Sequence, residues 1–178
     1  LSRYPIVASE VTDLPRCRRW IEPRILLRVE ISTERGPLQV YSTHLARGDD
    51  CQLERVGEIV RERRGTGLSL LMGDFNAPET SPALTTLRRE AGVVDAFRAA
   101  NPDAPGPTVW QRIDVEEATA SKRVDFILYL QGLETSAMVR SSRLVLDHPR
   151  RLPDGRVVWA SDPYGVLAEF EVQAAAGR

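Results

Sequence analysis

The hydrophobic pattern of this chain consists mainly of apolar runs of strand length that are separated by turn-forming residues. Residues 25–31 alternate in part, residues 38–42 form a second run, and residues 34–37 between them contain glycine and proline, so this part predicts a β-hairpin. Residues 165–172 alternate most clearly, which predicts a strand with one side in the core. Apolar runs predict further strands at residues 68–72, 124–130, 138–146 and 157–159.

Two segments have helical periodicity instead. The first helix is predicted to begin at residues 49–50, where either aspartate can cap it, and to end before Gly65, because apolar residues recur at helical spacing in between. The second is predicted to begin at residues 80–82, which supply a capping hydroxyl and a proline, and to end at Gly92. The first helix follows the hairpin and leads back to the strand at residues 68–72, so the elements indicate an α/β domain.

The length and composition indicate one globular domain. The chain has 178 residues, of which 42% are hydrophobic and 28% are charged. We assign residues 1–172 to the domain and residues 173–178 to a tail. No apolar run approaches the roughly 20 residues that a membrane-spanning helix requires. The sequence leaves localisation open, with the cytoplasm as the default expectation, and it does not indicate an oligomeric state.

The few cysteines and histidines limit the metal chemistry. Cys17 and Cys51 are the only cysteines, so no disulfide framework is predicted, and His44 and His148 alone do not make a zinc site. Oxygen ligands would therefore dominate at any metal site. The net charge of −1 does not indicate nucleic acid, although a local basic groove that binds it remains open.

Polar residues follow two of the predicted strands. Asp74 and Asn76 come after residues 68–72, and in an extended chain both face one side while Phe75 turns towards the core. This segment is either a binding site at a strand end or an ordinary Asp/Asn turn. His44, which follows the strand at residues 38–42, is likewise either a loop residue or a catalytic one.

Two further residues have uncertain roles in the sequence. Asp125 lies near the start of an otherwise apolar strand, where a carboxylate is costly to bury unless it has a partner. Trp110 follows a loop rich in proline, and it either lines a substrate cleft or anchors that loop; we favour the anchor.

Four segments occur in a fixed order, each at the end or start of a predicted strand. They are Ser-Thr-His-Leu at 42–45, Gly-Asp-Phe-Asn at 73–76, Arg-Val-Asp-Phe-Ile-Leu at 123–128 and Ser-Asp-Pro-Tyr-Gly-Val at 161–166. Together they resemble the endonuclease/exonuclease/phosphatase superfamily of DNase I-like, metal-dependent phosphoesterases, and the resemblance covers nearly the whole chain. Residues 1–6 also resemble a strand found partway through such domains.

The resemblance implies a fold and a set of roles. The fold is a four-layer α/β sandwich in which two mixed β-sheets pack face to face and helices cover the outside. His44 would contact the phosphate, Asp74 would orient or deprotonate the attacking water, and Asn76 would hold the phosphoryl oxygens. Asp162 would lie at the metal and phosphate centre, and Asp125 would orient a histidine that directly follows the Asp162 position.

The sequence departs from this pattern in two ways. The resemblance places an asparagine and the principal metal ligand, a glutamate, upstream of Leu1, so we expect the chain to be the carboxy-terminal part of a longer domain and to lack a well-formed metal site. The second departure is Pro163, which occupies the position of the catalytic histidine. Proline cannot donate or exchange a proton, so Asp125 loses its expected partner. Tyr164, an arginine, water or His148 would then have to replace it.

The sequence therefore predicts a metal-dependent phosphodiesterase or phosphomonoesterase. Mg²⁺ fits best, because it prefers oxygen ligands and needs only one or two carboxylates, of which Asp162 is the candidate here; Mn²⁺ is a plausible substitute. The alternative is a weak or inactive relative that binds a phosphorylated ligand or a partner protein, which Pro163 favours. The substrate class stays open.

Overall fold

The computed structural model of the chain describes residues 1–17, 22–48 and 50–174. Its strands are β1 (Ile6–Asp13), β2 (Ile25–Thr33), β3 (Gly36–His44), β4 (Ser69–Asp74), β5 (Val94–Asp95), β6 (Asp125–Leu130), β7 (Thr135–Val145), β8 (Arg150–Arg151), β9 (Val157–Val158) and β10 (Gly165–Ala174). Its helices are α1 (Asp50–Glu62), α2 (Pro82–Ala91) and α3 (Ala96–Ala100).

Six strands form one large sheet in the order β1-β2-β3-β4-β6-β5. β3 and β4 are parallel, because α1 carries the chain back between them, and the other neighbours are antiparallel. β7 and β10 form a separate antiparallel pair, and β8 with β9 forms a short hairpin. The large sheet is therefore mixed.

The two faces of the large sheet pack against different layers. On one face, Leu71 and Phe126 belong to a core that also contains Val56 of α1 and Leu84 of α2. On the other face, alternate residues of the same strands pack against the small sheet of β7 and β10, in a second core. The residues of this second core include Leu38, Leu70, Ile127, Tyr129, Ala137, Val139, Ala168, Phe170 and Val172. This alternation is the period-2 pattern of buried strands.

The predicted fold class is confirmed: the chain is α/β, with two sheets face to face and the helices α1 and α2 on the outer side of the large one. The strand predicted at residues 1–6 is wrong in position, because β1 begins at Ile6 and pairs with β2. β10 continues to Ala174, beyond the predicted end of the domain, and residues 175–178 of the predicted tail lie outside the described residues. None of the helices in the described ranges is long and apolar enough to cross a membrane.

A disulfide joins Cys17 to Cys51, the second residue of α1, with Cα atoms 6.3 Å apart. The prediction of no disulfide is therefore wrong, because nothing in the sequence indicates that the two cysteines, 34 positions apart, meet in space. The fully buried side chain of Gln52 also joins α1 to the segment before Cys17. Its side chain donates to the carbonyl of Pro15 at 3.2 Å and accepts from the amide of Ala46 at 2.9 Å.

Gly73 allows β3 and β4 to approach closely at their carboxyl ends. Its φ is +138°, and a Cβ atom there would lie 1.8 Å from the carbonyl oxygen of Thr43. No side chain fits this space without separating the two strands, so glycine is required for both conformation and contact.

We expect Gly73→Ala to destabilise the protein by at least about 3 kcal/mol, because it combines a disfavoured φ with a backbone clash. Gly155→Ala is the matched control: its φ is +85°, but a Cβ there has no neighbour within 4 Å. Strain alone would cost this control about 1–2 kcal/mol. Urea unfolding compares the two variants, and equal losses would contradict the role of the close contact.

Candidate functional site

The ends of three neighbouring strands bring together His44, Asp74 and Asp125. β3 pairs with β4 so that His44 lies opposite Asp74, and β4 pairs with β6 so that Asp74 lies opposite Asp125. Asp74 lies four positions after Leu70 in β4, and Asp125 lies two positions before Ile127 in β6. Both carboxylates are therefore on the face of the sheet that packs against the small sheet. The sheet register alone therefore places an imidazole and two carboxylates in one row.

The segment after β4 adds Asn76 to this row. Its φ is +48°, a conformation that asparagine tolerates better than most residues, and Phe75 before it is buried in the core as predicted. The backbone amide of Asn76 donates to Oδ1 of Asp74 at 2.7 Å, and Nδ2 donates to the carbonyl of Leu45 at 2.8 Å. Nδ2 also lies 3.2 Å from Nε2 of His44. This segment is therefore an Asp/Asn turn and, at the same time, part of a cluster of polar groups.

Nε2 of His44 has two competing neighbours, Asn76 Nδ2 at 3.2 Å and Asp74 Oδ2 at 3.4 Å. It can accept from the amide only in the tautomer that carries its proton on Nδ1, and it can donate to the carboxylate only when Nε2 itself is protonated. The imidazole is half exposed, so an incoming group can replace either neighbour.

Asp125 has an unsatisfied oxygen. Oδ2 is buried and has no hydrogen-bond partner among the described residues. Burial raises the pKa of Asp125 to about 6, a hydrogen bond with Thr108 opposes this rise, and the charges of Asp74 and Asp162 add to it. Three carboxylates therefore face one another here, and the central one resists ionisation.

Asp162 and Pro163 line an open cleft, which we call the site cleft. It has a volume of about 810 Å³, and its lining also includes His44, Asp74, Asn76 and Trp110. Asp162 is exposed, and its carbonyl accepts from the backbone amide of Gln111 at 3.1 Å. The structure thus brings the five predicted site residues to one region, with Asp125 beneath its surface.

Two of the substitutes predicted for the missing partner of Asp125, His148 and Tyr164, are engaged elsewhere. The side chain of His148 is 86% exposed, with Nδ1 3.1 Å from Oδ1 of Asp147. The hydroxyl of Tyr164 donates to Oε1 of Gln111 at 2.5 Å. Neither His148 nor Tyr164 is therefore a partner of Oδ2 of Asp125.

A buried ion-pair network that the sequence did not reveal supports the cleft wall. Nη2 of Arg123 lies 2.7 Å from both Asp95 Oδ2 and Glu79 Oε2, and Arg98 forms two hydrogen bonds to Glu79. Hydrogen bonds from Arg98, followed by those from Arg123, lower the pKa of Glu79 to about 2. Arg98 also donates to three carbonyls in residues 101–104 and so fixes this loop. Arg123 is 6% exposed and, like Asp125, lies near the start of an apolar strand. The argument that a buried charge needs a partner therefore applies to Arg123 as well, and it would have predicted an ion pair there.

The favoured interpretation of Trp110 as a loop anchor is wrong. Its side chain is 46% exposed in the site cleft, and its φ is +70°. The anchor is its neighbour Gln111, which is 3% exposed and bonded through its side chain to the carbonyls of Arg112 and Glu117 and to the amide of Thr119. The sequence did not indicate that Gln111 is buried instead of Trp110, because burial of an amide side chain depends on hydrogen-bond partners that only the folded loop provides.

The carboxylates of the cleft do not make a metal centre by themselves. Among residues 1–17, 22–48 and 50–174, no group of three or more His, Cys, Asp or Glu side chains is arranged to hold a metal ion. Because Mg²⁺ usually keeps several waters and needs only one or two carboxylates, the predicted role of Asp162 as a single protein ligand does not require such a group.

Comparison with solved structures identifies the fold. An endonuclease/exonuclease/phosphatase family protein from Bacteroides thetaiotaomicron matches with a TM-score of 0.75 and 16% identity over 96% of this chain and 64% of its own. A mannosyl-6-phosphatase from the same organism matches with a TM-score of 0.77 and 18% identity over 94% and 67%. TDP2 from D. rerio, complexed with a single-strand DNA product, matches with a TM-score of 0.72 and 18% identity over 95% and 69%.

This chain thus spans about two thirds of the length of the structures it matches. No family model matches the sequence. No curated protein matches it either. The predicted resemblance is confirmed for the fold.

The raised pKa of Asp125 predicts a specific pH dependence of stability. Below pH 4 the carboxyl is protonated in both the folded and the unfolded chain, so its burial carries no cost of ionisation. As the pH rises to 6 and above, ionisation is easier in the unfolded chain than in the folded one, so the free energy of unfolding falls until the folded chain also loses the proton. Asp125→Asn removes this loss, so the difference in unfolding free energy between the variant and the parent should increase by about 1–2 kcal/mol between pH 4.5 and 7.5.

Urea unfolding at a series of pH values measures this difference. Asp154→Asn is the control, because hydrogen bonds from Arg156 lower the pKa of Asp154 and move its titration below this range. A difference for Asp125→Asn that stays constant with pH would show that the carboxyl titrates normally.

Proposed function

Starting from a chain that has the fold of the endonuclease/exonuclease/phosphatase superfamily, we propose that this protein hydrolyses phosphoesters by in-line attack of a water molecule. The observation that carries the proposal is the row of His44, Asp74 and Asp125 at adjacent strand ends, which Asn76 joins, with Asp162 lining the same cleft as His44, Asp74 and Asn76. The fold alone would not support an activity, because one fold hosts many functions.

The contacts of these residues support distinct roles. Oδ1 of Asp74 accepts from the amide of Asn76, which leaves Oδ2 to orient or deprotonate water. Nε2 of His44 and Nδ2 of Asn76 lie 3.2 Å apart, so one phosphoryl oxygen beside the pair, within hydrogen-bond distance of each nitrogen, could accept from both. Such donors stabilise the charge that develops on the phosphoryl oxygens in the transition state.

The position of the proton on His44 matters for this role. With its proton on Nδ1, the neutral imidazole accepts from Asn76 at Nε2 and cannot donate to a phosphate there, whereas a ring that carries a proton on Nε2 can donate to the phosphate.

A requirement for Mg²⁺, with Mn²⁺ as a substitute, belongs to the proposal and rests on the anionic substrate and on Asp162 as the predicted ligand. The cation would neutralise charge on the phosphate. Removal of divalent cations with EDTA should abolish turnover, and added Mg²⁺ should restore it. Turnover that persists in EDTA would remove the metal from the proposal.

The second candidate function is binding without efficient turnover. Pro163 and the unpartnered Oδ2 of Asp125 favour it, since the residue at the predicted histidine position supplies no proton donor to this oxygen. The protein would then hold a phosphorylated ligand or a partner protein in the site cleft. Binding of phosphate with no hydrolysis of any phosphoester would support this candidate over the first.

Among relatives in fold, one is a mannosyl-6-phosphatase and another is complexed with a DNA product. Sugar phosphates and nucleic acid are therefore both reasonable substrates to test here, along with phospholipid head groups and inositol phosphates. A panel of these phosphoesters would identify the class.

We expect His44→Ala, Asp74→Asn and Asn76→Ala each to lower turnover of bis(p-nitrophenyl) phosphate by a factor of about 10² to 10³, the usual loss for one donor or base. His148→Ala is the control, because this exposed histidine lies outside the site cleft and should leave turnover unchanged. Release of p-nitrophenolate measures the rates. If the His148 variant alone loses activity, the assignment of the site is wrong.

We also expect Pro163→His to raise turnover by a factor of about 10² to 10³, because an imidazole there restores a donor to the transition state. Asp125→Ala in the same background should cancel most of the gain, since Oδ2 of Asp125 would orient the new ring.

Pro153→His controls for an added imidazole elsewhere, as Pro153 is exposed and does not line the site cleft. A gain that survives loss of Asp125, or a gain of equal size from Pro153→His, would refute this account of position 163.

A further inference from the structure

Two cations are gathered on one aromatic ring in the site cleft. The guanidinium carbon of Arg47 lies 5.3 Å and Nζ of Lys122 lies 4.4 Å from the centre of the Trp110 ring, and all three residues line the cleft with His44 and Asp162. Both distances are within the range of cation–π attraction. We call Arg47, Lys122 and Trp110 the cation platform.

The loop that carries the ring is held firmly in place. Val109 forms an isolated bridge with Lys122, and the carbonyl of Trp110 accepts from the hydroxyl of Thr119 at 2.9 Å. The backbone amide of the buried Gln111 donates to the backbone carbonyl of Asp162. The positive φ of Trp110 therefore belongs to a fixed structure, and strained residues of this kind concentrate at binding sites.

The charges around the cleft show what the cation platform can bind. Arg123 is neutralised by Glu79 and Asp95, whereas neither Arg47 nor Lys122 forms an ion pair with a carboxylate of the residues that the structure describes. Lys122 is also the only lysine of the chain. The platform thus presents positive charge to a cleft that is also lined by Asp74 and Asp162.

We propose that the cation platform is a second anion subsite, which binds a phosphate group next to the one that is hydrolysed, so that the preferred substrates carry at least two phosphates. This inference rests on the proposed function for the identity of the first phosphate. A phosphate is held by charge-assisted hydrogen bonds from arginine and lysine. A single phosphate near His44 would leave both cations unused.

The second phosphate has two chemical sources, a polyphosphorylated small molecule or the neighbouring phosphodiester of a strand. Tripolyphosphate and tetrathymidylate are probes for the two, and orthophosphate is the reference with a single group. The chemistry of the subsite is the same in both cases, and the probe that binds more tightly identifies the source.

The test is titration calorimetry of these three probes against the protein and its variants. We expect tripolyphosphate or tetrathymidylate to bind at least about tenfold more tightly than orthophosphate. Arg47→Ala and Lys122→Ala should each weaken the tighter interaction by about tenfold and leave orthophosphate unaffected. Trp110→Ala should weaken it by as much as either cation variant, and Trp110→Phe, which keeps an aromatic face, by less.

Arg35→Ala is the matched control for loss of one positive charge. At about 3.3 Å per residue, the nine residues of β3 place Arg35 about 30 Å from His44, at the other end of the strand. Thermal melting of each variant shows whether it is folded. A loss of affinity in Arg35→Ala equal to that in Lys122→Ala would mean that the probes respond to net charge alone, which overturns the subsite.

The outcomes separate this inference from the proposed function. If the protein hydrolyses bis(p-nitrophenyl) phosphate but binds all three probes equally, the second subsite is wrong and the hydrolase stands. If it hydrolyses no phosphoester yet binds tripolyphosphate through Arg47 and Lys122, the subsite stands and the hydrolase is wrong.

Discussion

The close backbone contact between β3 and β4 at Gly73 determines which side chains meet in the site cleft. With the strands this close, the register sets His44 against Asp74, and the next strand sets Asp125 against Asp74. The hydrogen bonds continue past the strand ends, from the amide of Leu45 to the carbonyl of Asp74 at 2.9 Å. The geometry of the site is therefore a property of the sheet, and side-chain packing only refines it.

The site cleft has an electrostatic conflict that the sheet itself does not resolve. Burial, together with the charges of Asp74 and Asp162, disfavours ionisation of Asp125 in the region where an anionic phosphate would bind. The cations that can offset this charge come from loops: Arg47 follows β3, and Lys122 precedes β6. The strands thus carry His44, Asp74 and Asp125, while the loops carry the cations that reduce the repulsion between these carboxylates and a bound anion.

The sequence was informative where local pattern and burial coincide. Alternation predicted β2 and β10, apolar runs predicted β3, β4 and β6, and the polar residues at strand ends predicted the site row, because backbone register acts on every residue in the same way. It was uninformative where a contact depends on distant partners. The disulfide of Cys17, the burial of Gln111 in place of Trp110, and the network around Arg123 all depend on loops whose paths follow from the tertiary structure.

The disulfide between Cys17 and Cys51 links the segment after β1 to the start of α1, directly after the loop that carries Arg47. Closing a loop of 34 residues restricts the unfolded chain and is worth about 3–4 kcal/mol in the chain-entropy description. That is a large fraction of the stability of a typical domain. The balance between the folded and unfolded chain thus depends on the thiol chemistry of its surroundings, and in a reducing medium the same sequence folds without this contribution.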